Sequence, residues 1–373
     1  MAIKKKPLLV ILLLISLLPA GCDKGPSLQR EFALGTICAV NLFGEGNEKV
    51  YSRIFARIRE IDRTMTAFPG EFQELLGDGG PFTPYGDSAA MFQSAVDTLT
   101  SGVVAINEQA GIAPVRVRAD LIALLEKALY YAELSNGAFD PTVGPLVRLW
   151  GIGTKEERVP SLEEIAAVLE LINWRDVDIN REEGTVFLRR EGMALDLGAI
   201  AKGYAGDEAA RVAREAGAKR GIFDLGGNIV TLGFRAQNRK GKFPWRIAIQ
   251  NPTDRRGAYI GILSVNDTSV VTSGIYERFF ESEGKRYHHI FSTADGYPAE
   301  NGLMSVTIVT ESSTDADALS TSVFAMGYAR GRALIDSIPG AEAIFIFHDR
   351  SVRLTGNLAG IFELTNNEFA VID

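Results

Sequence analysis

The stretch TDADALSTSVFAMG, residues 314–327, places two demands on one helix. Its second half, Val323-Phe324-Ala325-Met326, reads as buried helix, while the first half carries Asp315, Asp317, Ser320 and Thr321. Residues four apart share a helix face, so Asp317 and Thr321 set a carboxylate beside a hydroxyl, with Ser320 close by. Asp, Ser and Thr belong at helix starts, where they cap amides and meet the helix dipole, and Asp315 alone satisfies that need. A second Asp with a Thr one turn later is more than a cap requires, and such hard oxygen pairs suit magnesium. On these residues alone both readings stand.

Outward from this helix, strand-like runs mix with helical ones. REFALGTICAVNLFG (30–44) reads as a strand ending at Gly44, rich in β-branched and aromatic residues. Val50, Ile54, Ile58, Ile61 and Met65 recur at helical spacing and predict an amphipathic helix over about 47–67. The region 69–118 is rich in Gly and Pro and should be the loopiest. RADLIALLEKALYYAELSNG reads as a helix stopped by Asn136-Gly137. SLEEIAAVLELI opens on the capping-box pair Ser161 and Glu164. DVDINREEGTVFLRR predicts a hairpin turning at Glu183-Gly184. A helix near 201–217 follows, then strands around 221–234, 245–250, 259–265 and 303–310, with more near 342–348 and 351–365. Strands in runs mixed with helices point to the α+β class with a largely antiparallel sheet. No repeat, low-complexity tract or composition break divides the chain.

The 373 residues, 46 % hydrophobic and 23 % charged, suit a folded globular protein with a sizeable core. The start differs: MAIKKKPLLVILLLISLLPAGC has three lysines, a short apolar run and small residues before Cys22. That is the pattern of a secretory signal, too short for a lasting transmembrane helix. Its end, LLPAGC, resembles a bacterial lipobox with Pro19 where Leu is usual. The expected organisation is a signal peptide over 1–21, a tether over 22–30 lipidated at Cys22, and one domain over 31–373. Losing residues 1–21 moves the net charge from −8 to −11, which disfavours nucleic-acid binding. Cys38 is then the only cysteine beyond Cys22, so no disulfide framework exists within the domain, and its apolar setting reads as core.

Four further stretches carry candidate chemistry. NGAFDPTVGPLVRLWG (136–151) packs turn residues around Asp140. LDLGAIAKGYAGD (195–207) sets Asp196 and Lys202 in a small-residue run, as if backbone must approach something closely. GIFDLGGNIVTLG (221–233) pairs Gly226 and Gly227 after Asp224, and residues 269–302 hold His288 and His289. Walker A, G-x-G-x-x-G and H-E-x-x-H motifs are absent. Adjacent histidines on a strand face opposite ways and do not easily share a metal. Taken singly, each stretch is as well explained by a turn or a close-packed backbone.

In their order along the chain these segments resemble the ApbE family, the flavin transferases of bacterial envelopes. The resemblance runs from about Phe32 to Gly327 through LGT, FDPTVGPLVRLWG, LDLGAIAKGYAGD, DLGGN, TSGIYERFF, GKRYHHI, GYPA and DADALSTSVFAMG. It implies an ApbE/T-fold-like core, FAD as substrate, and magnesium at the pyrophosphate. By the same resemblance Asp317, Thr321 and the Ala199 carbonyl are metal ligands. Asp196 and Lys202 contact the flavin nucleotide, as do Ala138, Phe139, Asp140, Leu34 and Ile290. His289 matches a histidine considered a base for the acceptor hydroxyl. The implied reaction moves FMN from FAD to a Thr of a partner flavoprotein, a subunit of a membrane redox complex, with release of AMP. The implied location is the envelope, lipid-anchored and facing the periplasm.

Two departures from the family pattern stand out. Ser292 and Thr293 occupy the places where Asp and Pro are usual after the histidine, with Asp295 nearby but displaced. TAFPGEFQELLG (66–77) lacks the polar half of its motif, although Phe68 offers a face for stacking on adenine. Two other activities remain open at this level: a magnesium-dependent FAD pyrophosphatase, and a flavin-binding lipoprotein without turnover.

Overall fold

The computed structural model, which describes residues 28–67, 102–238 and 241–372, sets nine strands in one sheet in the order the chain makes them. They are β1 (Gln29–Ala33), β2 (Thr36–Asn41), β3 (Gly221–Leu225), β4 (Asn228–Leu232), β5 (Ser269–Gly274), β6 (Leu303–Thr310), β7 (Glu342–Phe347), β8 (Ser351–Leu354) and β9 (Ala370–Val371). Each pairs antiparallel with the next except β8 and β9, which run parallel. The expected α+β class with a largely antiparallel sheet is what the chain forms.

Helices fill the connections. Between β2 and β3 lie α1 (Glu48–Met65), α2 (Val103–Glu108), α3 (Ala119–Leu134), α4 (Gly144–Trp150), α5 (Leu162–Leu169) and α6 (Ala201–Glu215). Between β6 and β7 lie α7 (Ser313–Met326) and α8 (Tyr328–Ser337). One face of the sheet packs on α1, α6 and α7; the other packs on a second, three-stranded sheet of Trp245–Gln250, Tyr259–Val265 and Phe362–Leu364. Along β7, Ala343 and Phe345 enter the helix-side core while Ile344 and Ile346 enter the opposite one. Burial on both faces explains why β6 is apolar or small at nearly every position rather than alternating.

Local signals account for most boundaries. Asn47 caps α1 by accepting from the Val50 amide, and Ser161 and Glu164 form the expected capping box. The hairpin Val177–Asn180/Thr185–Leu188 turns through Glu183-Gly184 as expected. The single strand expected over 30–44 is instead the β1–β2 hairpin, because Leu34 (φ 55°) and Gly35 (φ 67°) make a two-residue turn. Left-handed geometry at Leu leaves no mark in composition. Of the region expected to be loopiest, 102–118 holds α2 and the short strand Val115–Arg116; the rest lies outside the described residues.

Candidate active site

The helices α6 and α7 pass each other in opposite senses with their N-terminal turns overlapping, and each is capped by an aspartate of the other. Asp207 of α6 accepts from the Ser313 and Thr314 amides (2.8 and 2.9 Å), the Thr314 hydroxyl (2.6 Å) and the Ser312 hydroxyl (3.1 Å). Asp317 of α7 accepts from the Gly203 amide at 2.9 Å through Oδ2. A helix leaves its first amides without intrahelical partners, which is the need both carboxylates meet. The small residues of 195–207 serve this approach: a side chain on Gly203 would start 2.2 Å from the Ser313 carbonyl oxygen and 2.7 Å from Asp317 Cβ.

Asp317 is buried (3 % exposed), and among the described residues its Oδ1 meets only the Lys202 ammonium, at 3.4 Å, an ion-pair distance rather than a tight hydrogen bond. Lys202 Nζ also donates to the Gly198 carbonyl at 2.9 Å. Thr321, half-buried one turn after Asp317, has its hydroxyl 3.3 Å from that of Ser273 on β5, which also meets Ser320 at 2.8 Å. The helix thus carries the carboxylate and the hydroxyl one turn apart, with the Lys202 ammonium at the carboxylate, and Ala199 lies just ahead of α6. Among the described residues no cluster of three or more His, Cys, Asp or Glu is placed to hold a metal.

Around this pair the other strips converge. The Asp196 amide donates to the Pro141 carbonyl (2.8 Å) and its carboxylate accepts from the Gly198 amide (2.7 Å). Burial pushes the Asp196 carboxyl up, against the Gly198 amide and the positive charges of Arg278 and Lys202. His289 is fixed from one side: its Nδ1 lies 3.1 Å from the Arg278 carbonyl oxygen. A carbonyl only accepts, so Nδ1 carries the proton and Nε2 the lone pair. Burial first, then the charge of Arg278, holds His289 down at about 3. It is neutral at physiological pH, so Nε2 is able to accept a proton, while the same burial makes the ring a weaker base than a free imidazole.

Its neighbour differs. His288 is buried edge-on against Phe324, accepts the Ile290 amide at 3.3 Å, and is lowered by burial to about 4. The Ile290 carbonyl in turn takes the Ala299 amide at 2.9 Å. Asp140 is spent internally: it accepts from the Thr142 amide (2.8 Å), the Thr142 hydroxyl (2.6 Å) and the Trp174 amide (3.1 Å). Phe139 is buried and Ala138 half-buried beside it. Thr293 donates to the Gly137 carbonyl at 2.7 Å and ties the histidine strip to the 138–140 strip. Leu34 packs against the core, and Gly35 brings the hairpin turn to the same end, where a side chain built on it would start 3.9 Å from the Arg278 guanidinium. Phe68 lies outside the described residues.

Arg278 is the residue that sequence reasoning did not single out, although it sits inside TSGIYERFF. Its carbonyl sets the His289 tautomer, and its charge acts on both His289 and Asp196.

Fold and centre together define an α+β protein with a carboxylate–hydroxyl–lysine cluster at the turn end of its sheet. Solved structures share the architecture: the ApbE protein of Thermotoga maritima (TM-score 0.71, 30 % identity, covering 90 % of this chain and 98 % of that one) and the flavin transferase ApbE of Vibrio cholerae (TM-score 0.70, 25 % identity, 90 % and 98 %). The chain belongs to the ApbE family, whose profile matches residues 91–345. A Treponema pallidum protein named FAD:protein FMN transferase is 40 % identical over 352 residues, 92 % of this chain and 90 % of that protein. A Klebsiella pneumoniae protein of the same name is 37 % identical over 278 residues, 74 % and 85 % respectively.

Proposed function

We propose that this chain is an FAD:protein FMN transferase that works with magnesium. The relatives that match it over most of their length carry that name. The observation that carries the chemistry is the neutral His289, its Nδ1 pinned and its Nε2 lone pair available. In this reading the acceptor Thr hydroxyl gives its proton to Nε2 as its oxygen bonds to the FMN phosphorus, and AMP departs with the bridging oxygen. Lys202 faces the phosphates, and Asp196, Leu34, Ile290 and the 138–140 strip border the nucleotide. Asp140 shapes its strip through its own backbone bonds, because its carboxylate is already satisfied.

Asp317, Thr321 and the Ala199 carbonyl would hold magnesium. One carboxylate, one hydroxyl and one carbonyl make an all-oxygen, incomplete set, which suits a cation that keeps waters and binds substrate phosphate. When bound, it would neutralise charge on the phosphate oxygens. Acceptors of the proposed reaction are flavoprotein subunits of membrane redox complexes. We also propose that Cys22 carries lipid and holds the domain on the periplasmic side of the envelope, on the strength of the basic–apolar–small pattern before it.

The test is to incubate the protein with FAD and magnesium, with and without a candidate acceptor domain, and to follow nucleotides and acceptor mass. An acceptor gaining the mass of FMN supports transfer; free FMN and AMP with an unmodified acceptor would replace it by hydrolysis. Fatty-acid labelling equal in wild type and Cys22→Ser would sink the anchor.

A further inference from the structure

We propose that Lys202 is a tethered cation that occupies Asp317 in the free protein and yields it to a metal ion when a nucleotide pyrophosphate draws the ammonium away. The inference rests on the reading of Asp317 and Thr321 as metal ligands. Asp317 Oδ2 is engaged by the Gly203 amide, so Oδ1 is the oxygen that a metal would take, and Lys202 Nζ stands 3.4 Å from it. The carboxylate side chain is 4 % exposed and the lysine 20 %. A carboxylate buried this far needs a positive partner, and among the described residues the Lys202 ammonium is the one within ion-pair distance.

Other features allow the ammonium to leave. Its contact with Oδ1 is long, while its shorter bond, 2.9 Å, goes to the neutral Gly198 carbonyl. The lysine stem is flexible and its charge is a point rather than a fixed fork. The Lys202 charge also reaches Asp196, whose ionised form it favours, and His289, whose neutral form it favours, and Arg278 acts on the same two groups. Thr321 is held by Ser273 and need not move.

A divalent cation on Oδ1 and an ammonium at the same oxygen repel strongly in a partly buried site. A pyrophosphate removes the conflict by giving the lysine a new partner. Metal and nucleotide then bind with positive coupling, and by linkage each tightens the other equally. Metal ions would not occupy the site in the absence of substrate, and the enzyme would load its two ligands together.

The experiment uses the full chain and Mn2+ without nucleotide, reading free Mn2+ by its electron paramagnetic resonance. Lys202→Met should bind Mn2+ about tenfold or more tightly than wild type, whereas Lys202→Arg, which keeps the cation, should stay as weak as wild type. The gain should vanish in Lys202→Met/Asp317→Asn. Adding FAD should tighten Mn2+ less in Lys202→Met than in wild type; chelation by FAD itself is common to both. If Lys202→Met loses stability, Mn2+ should raise its melting temperature more than that of wild type. Equal Mn2+ affinity in Lys202→Met and wild type overturns the proposal, and if Asp317→Asn still weakens Mn2+ in the presence of FAD, the metal-site reading survives. A gain that persists in the double variant overturns both.

Discussion

Asp207 and Asp317 do the same structural task at opposite helix starts, and the difference between them separates scaffold from chemistry. Asp207 is saturated: four donors converge on its two oxygens. Asp317 caps with one oxygen and turns the other to the Lys202 ammonium. The adjacent histidines repeat the contrast. His288 is packed against Phe324 and takes a backbone amide, while His289 spends Nδ1 on a carbonyl and leaves Nε2 uncommitted. In each pair the residue with unspent capacity is the one the proposed reaction would use.

The largest break in this comparison should come from Asp317→Ala. Loss of metal-borne charge stabilisation, several kcal/mol, should cut FAD cleavage by roughly three to four powers of ten, while one lost cap costs only about 1 kcal/mol of stability. Cleavage at the wild-type rate would reassign Asp317 as a cap and nothing more. His289→Ala should slow FMN transfer by about two to three powers of ten and leave FAD affinity nearly unchanged, read as the ratio of modified acceptor to free FMN. An unchanged ratio at undiminished rate would make His289 structural like its neighbour.

The scaffold side predicts the reverse pattern. Asp207→Ala strands several half-buried donors and should cost about 2–3 kcal/mol in urea unfolding, with turnover per folded molecule falling less than in Asp317→Ala. Gly203→Ala forces a methyl against the Ser313 carbonyl and should cost about 1–3 kcal/mol, checked by the same unfolding curve. The smallest effect expected is none at all. With the His289 imidazole unprotonated above about 3, the transfer rate should show no acid limb from this residue between pH 5 and 8. A limb near the ordinary histidine value, about 6.5, would mean that the working form of the site exposes His289 to water.

Much of this was legible in the sequence. Helical spacing of Ile54, Ile58 and Ile61, the Ser161–Glu164 box and the Glu183-Gly184 turn each carry a local cause, and local causes survive in composition. The pairing of Asp317 with Thr321 was legible for the same reason, since both lie on one helix face. What could not be read is what depends on distant partners. Nothing in LDLGAIAKGYAGD says that its glycines admit α7, or that the Asp140 carboxylate turns back on Thr142 and Trp174. Arg278 went unnoticed because its most telling group is a backbone carbonyl, which every residue has.

The order of the sheet bears on how the molecule is made. Cys38–Asn41 of β2 await Ile222–Leu225 of β3, so the first hairpin emerges long before its neighbour is synthesised. Closing so long a loop adds little to the free-energy cost, which grows only with the logarithm of length, but such distant pairing is slow. Until it is complete, a hairpin that shows Phe32 and Ile37 to solvent even in the finished protein has a bare edge as well. An unpaired edge is a template for another chain. The hairpin whose turn reaches Arg278 is therefore also a place where a nascent copy is open to joining its neighbour, and where a folding chaperone has reason to hold on.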